Sequence, residues 1–87
     1  WNDEGLKALS ARVLRAAPNY ESALYMRAVV LGGLIDAWEV GPRSVAELKE
    51  AATSYDRSAA LCDVPAAKAY YLYAGHAAWC RSQALAI

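Results

Sequence analysis

Phenylalanine is absent from this 87-residue chain, which has only one histidine, one methionine and two cysteines. The aromatic bulk comes instead from three tryptophans and six tyrosines, side chains with a polar handle that suit positions where one edge stays wet. Charge of one sign is not in excess: nine basic and nine acidic residues cancel and are scattered along the chain. That argues against a nucleic-acid footprint or an anionic-membrane patch, both of which need a basic stripe. The longest apolar run, near Val29 to Ile35, is far short of the roughly 20 residues a membrane span requires. No signal peptide is visible, and the chain begins at Trp1 rather than Met, so the reading expects a cytoplasmic segment of a longer protein. Metal-ligand spacings such as C-x-x-C or H-E-x-x-H are missing, as are Gly-rich phosphate loops.

What is present is 57% hydrophobic and includes 20 alanines, a composition of helix formers with small side chains that allows close helix approach. It predicts one all-α domain, burying roughly 60–65% of its unfolded surface. Four helices are expected. The first, about 3–17, is capped by Asn2 or Asp3, carries Leu6, Leu9, Val13 and Leu14 at helical spacing, and is stopped by Pro18. The second, about 20–38, is apolar on almost every face, with Arg27 its single charge between Ala23 and Ile35, so it is read as a central helix covered from two sides. Gly32 and Gly33 are placed inside it and attributed to a close crossing or bend. The third, about 45–62, opens on the capping box Ser44-Val45-Ala46-Glu47 and runs along a seam of Val45, Leu48, Ala52, Tyr55, Ala59 and Cys62. The fourth, about 65–85, starts at Pro65 and is as apolar as the second. Nothing follows it to cover its outer face, which points to a removed helix or a partner there. On these helices Cys80 lies about four turns into the last one, ~22 Å from its start at 1.5 Å per residue. A disulfide needs Cα atoms within roughly 7 Å, so Cys62 and Cys80 are read as reduced, packed thiols.

The lead-in and second helix, P-N-Y-x-x-A-L-x-x-R-A-x-x-L, resemble the junction into the first helix of a tetratricopeptide repeat, with Ala23, Leu24, Ala28 and Leu31 on the packing positions. The third helix, E-A-x-x-x-Y-x-x-S-x-x-L, is similar to that repeat's second helix through Ala51, Tyr55, Ser58 and Leu61. The resemblance implies an array of helical hairpins, four antiparallel helices in all, in which the second and fourth line a concave face. One departure is large: Pro18 and Asp63, at equivalent ends, are 45 residues apart against the family's period of about 34. A spacing near 45 also fits HEAT and armadillo helical pairs, and a stand-alone four-helix bundle stays open.

The chemistry for catalysis is thin. His76 has no carboxylate within four residues, Ser82 and Cys80 share its helix without an orienting third group, and Glu47 and Glu50 are read as a solvated pair. No enzyme activity, cofactor or metal is expected. The resemblance implies a protein-interaction or scaffolding module that binds a peptide or partner helix. Its candidate contacts are Tyr25, Arg27 and Val29 on the second helix and Lys68, Tyr71, Leu72, His76 and Trp79 on the fourth. With Tyr25 and Val29 where chaperone-binding members carry their carboxylate clamp, contact is expected through apolar and aromatic groups. Two alternatives remain: an accessory or ligand-binding domain of an enzyme with a pocket near Tyr73, His76 and Trp79, or a homodimer through the fourth helix.

Overall fold

A computed structural model describes residues 2–33, 41–61 and 67–87, with the backbone alone for 67–72 and 75. Over these residues the protein is all-α, in four helices. Helix α1 spans Asp3–Ala16, and its N-cap is Asn2, whose Oδ1 accepts from the Gly5 amide at 2.7 Å. Asp3 and Glu4 in its first turn and Arg15 in its last sit at the ends where the helix dipole favours their charge. Beyond it the Tyr20 amide donates to the Ala17 carbonyl, closing the corner that Pro18 enforces.

Helix α2 spans Glu21–Gly32, shorter than its apolar periodicity predicts. Gly33 adopts φ 67°, ψ 33°, and its amide donates to the Val29 carbonyl at 3.0 Å. A left-handed residue costs an L-amino acid roughly 1–2 kcal/mol, so glycine is the natural stop here. The glycine pair therefore ends the helix, and the expected crossing or bend within it is corrected. Residues 34–38 of the expected helix lie outside the described residues.

Helix α3 spans Val45–Ala60 and opens on the capping box. Ser44 Oγ accepts from the Glu47 amide at 3.1 Å and Glu47 Oε1 accepts from the Ser44 amide at 2.9 Å. It ends with Leu61 as C-cap, and Cys62, Asp63 and Pro65 lie outside the described residues. Helix α4 spans Ala67–Ala86.

Each helix packs antiparallel on the next in sequence. The direction is fixed by named pairs: Ser10 meets Arg27 while Arg43 bridges Asp3 and Val30 across α1 and α2, Arg57 reaches Pro18 while Glu50 meets Arg27 across α2 and α3, and Tyr55 meets His76 while Leu48 shares a depression with Gln83 across α3 and α4. The core joins α2, α3 and α4, where Ala28, Ala51, Ala52 and Ala77 let the backbones approach and Leu31, Tyr55 and Cys80 fill the volume between them. Ser58 is fully buried at no unsatisfied cost, since its hydroxyl donates to the Ser54 carbonyl at 3.0 Å. Helix α1 stands apart from this core. Its only fully buried side chain is Ser10, and Leu6, Leu9, Val13 and Leu14 are half-buried.

Candidate functional site

The fully buried ring of Tyr55 on α3 organises the space between α2 and α4. Tyr25 meets it edge-on with ring centroids 6.0 Å apart, and His76 lies tilted against it at 5.2 Å. Tyr73 sits 5.4 Å from Tyr25 and donates its hydroxyl to Glu21 Oε1 at 2.7 Å, tying the start of α2 to α4. Tyr25 and His76 are thus brought together as candidates, but as half-buried members of an aromatic cluster rather than as open groove residues. Burial pushes the Tyr55 phenol well above its ordinary range, and its hydroxyl has no hydrogen-bond partner among the described residues. Burial likewise pushes the free Cys80 thiol up, which makes it an inert packing group.

Two other candidates on α2 point inward. Val29 is 6% exposed and belongs to the core. Arg27 is a clasp: Nε donates to Glu50 Oε2 at 2.9 Å, and Nη1 donates to the Lys7 carbonyl at 2.9 Å and to Ser10 Oγ at 3.0 Å. The one basic residue of α2 is used to join three helices. Lys68, Tyr71 and Leu72 are placed on the first turns of α4, and their side chains lie outside the described residues.

Trp79 is 41% exposed and borders a depression of about 370 Å³ at one end of the helices, lined also by Gly32, Arg43, Leu48, Gln83 and Ile87. Neither Tyr73 nor His76 is among the described residues that line this depression. Leu85 is 89% and Ile87 70% exposed, and Leu85 with Lys49, Thr53, Arg81 and Ala84 borders a second depression of about 390 Å³ between α3 and α4. Sequence reasoning missed Gln83, Leu85 and Ile87. Gln83 and Ile87 carried a signal, at i+4 and i+8 from Trp79, whereas Leu85 at i+6 carried none.

A charged network closes the other side of the same end. Arg43 forms a bidentate pair with Asp3, Nη1 to Oδ2 at 2.8 Å and Nη2 to Oδ1 at 2.7 Å, and Nη2 also donates to the Val30 carbonyl at 3.0 Å. It thereby caps one of the last carbonyls of α2, which the helix itself leaves open. Lys7 Nζ meets Glu47 Oε2 at 2.6 Å. Burial pushes the Glu47 carboxyl up, but hydrogen bonds from Lys7 and from the Ser44 amide outweigh it and hold the group below its ordinary value. A carboxyl with a lowered folded pKa contributes stability that is present above its unfolded value of about 4.3 and lost as pH falls through the folded one. Urea midpoints are therefore expected to drop on going from neutral pH to below that value, with a smaller drop in Glu47→Gln. An equal drop in the two proteins would remove Glu47 from the account.

Among the described residues no three His, Cys, Asp or Glu side chains gather where they could hold a metal ion, and no helix is long and apolar enough to cross a membrane. No protein-family model, no curated protein and no solved structure matches this chain.

Proposed function

We propose that this protein is an interaction or scaffolding module of tetratricopeptide-like type, binding a partner helix or peptide through the uncovered face of α4. One observation carries the reading. Along this helix Ala77, Cys80 and Ala84 are buried, while Trp79, Ser82, Gln83, Leu85, Ala86 and Ile87 are exposed with Arg81 the one described charge. An exposed aromatic flanked by aliphatic side chains, on a helix with no polar side, is the composition of a binding patch centre rather than of a solvated face. The contribution expected of α2 is smaller than its sequence suggests, because Arg27 and Val29 are spent inside and Tyr25 serves as floor beneath α4. The reading assigns no catalysis and no cofactor, and places the protein in the cytoplasm, where Cys80 stays reduced.

The test compares immobilised wild-type protein with the Trp79→Ala, Leu85→Glu double variant and with Arg12→Glu, a charge reversal on the exposed side of α1. All three are expected to keep the same helical circular dichroism. A partner held by wild type and by Arg12→Glu should be lost at least about tenfold by the double variant, a difference of ~1.4 kcal/mol. Equal retention by all three would overturn the α4 assignment. If wild type sediments as a dimer and the double variant as a monomer, the partner is a second copy of the chain.

A further inference from the structure

We infer that the α2 stripe formed by Ala23, Arg27 and Val30 is a second helix-docking surface, and that α1 is its displaceable occupant, opening about the Ala17–Tyr20 turn while α2, α3 and α4 stay packed. The spacing of i, i+4 and i+7 puts the three residues on one face, and the bonds from Arg27 to Lys7 and Ser10 show that this face meets α1. Ala23 and Val30 are buried, yet neither belongs to the core that joins α2 to α3 and α4. Their cover is α1.

The cover is held in an unusual way for a buried stripe. Its one fully buried side chain is a serine, and its four large aliphatic residues are half-buried. The specific ties are polar: Asp3 to Arg43, Lys7 to Glu47, and the Lys7 carbonyl and Ser10 hydroxyl to Arg27. All of them lie between Asp3 and Ser10, which leaves residues 11–16, next to the turn, as the pivot. Segments with few buried apolar contacts open at free energies below that of global unfolding. The more exposed Lys7–Glu47 tie weakens as salt shortens the screening length, whereas burial in the α2–α4 core does not. The uncovered surface fits a helix that carries a carboxylate in its first turn for Arg43 and a hydroxyl seven residues later for Arg27, as Asp3 and Ser10 do.

Amide hydrogen exchange on the full chain tests the release. Amides of Leu9 and Val13 are expected to exchange at least about tenfold faster than those of Ala52 and Tyr55, with the gap widening between about 0.05 M and about 1 M salt. One common protection for α1 and α3, moving together with salt, would overturn the inference. Docking is tested in Asp3→Asn, because a tethered helix competes at an effective concentration in the millimolar range and must first be weakened. A spin-labelled peptide of residues 2–17 added to this variant should broaden the Ala23 and Val30 amides, and a peptide that itself carries Asp3→Asn should not. Global unfolding of the Asp3→Asn chain, or no broadening with the wild-type peptide, would refute the displaceable cover without touching the α4 assignment.

Discussion

Tyr55→Ala is expected to destabilise the protein by about 3–5 kcal/mol, whereas Tyr55→Phe should leave it unchanged or raise its stability by about 1 kcal/mol. The ring is fully buried and is the common contact of Tyr25 and His76, so truncation opens a cavity bounded by alanines on α2, α3 and α4. Alanine has no longer rotamer to swing into the gap, and the loss should lie near the upper end of its range. For a domain of this length total stability is roughly 4–13 kcal/mol, so the truncated variant loses a third of it or more. The hydroxyl acts in the opposite sense. It is buried with no hydrogen-bond partner among the described residues, a situation that costs about 1–3 kcal/mol of desolvation with nothing in return. Removing it deletes the cost and keeps the ring. Urea unfolding of the two variants checks both signs, and a Phe variant that is less stable by more than about 1 kcal/mol would show that the hydroxyl is bonded.

Arg43→Met should cost about 3–5 kcal/mol, the penalty for removing one partner of a buried ion pair. The Arg43 side chain is 8% and the Asp3 side chain 11% exposed, so little water can take over the lost bonds. The substitution takes the bidentate guanidinium from Asp3 and the donor from the Val30 carbonyl in one step. Because Asp3 opens α1 and Arg43 precedes α3, the loss falls first on the docking of α1. Asp3→Leu combined with Arg43→Met should recover most of it, since replacing both charges removes the uncompensated carboxylate. The double-mutant cycle measures this as a coupling energy, and simple additivity of the two losses would contradict the assignment.

How much of this was legible in the residues follows from the range of each interaction. The Ser44–Glu47 capping box is local, with both partners three residues apart, and it reads directly from the sequence. The seam of α3 is legible for a similar reason, since polar and apolar positions alternate strongly enough to orient the helix. The end of α2 was misread because Leu31, Ile35 and Trp38 continue its apolar period past the glycines, and only the backbone angle of Gly33 decides that the helix stops. Arg27 looked like a groove residue because its partners, Lys7, Ser10 and Glu50, are 17 to 23 residues away. The rotation of α4 was the least readable. A helix that is apolar all round has no polar side to point at water, so sequence indicates an uncovered face but not which residues compose it. Trp79, which sequence reasoning singles out, is 41% exposed, while Leu85 and Ile87, which it does not, are more exposed still.

The nearest-neighbour packing of the four helices bears on how quickly the chain finds its structure. When each element docks on the one made just before it, the loops to be closed are short and the mean sequence separation of contacts is low, which is the regime of folding in microseconds to milliseconds. Three of the described ties run against that locality, Arg43 to Asp3 and Glu47 to Lys7 across 40 residues each and Tyr73 to Glu21 across 52. Each spans two helices and can form only after the hairpin between them has closed. They are late-forming latches on a locally assembled frame, so their loss should speed unfolding more than it slows refolding.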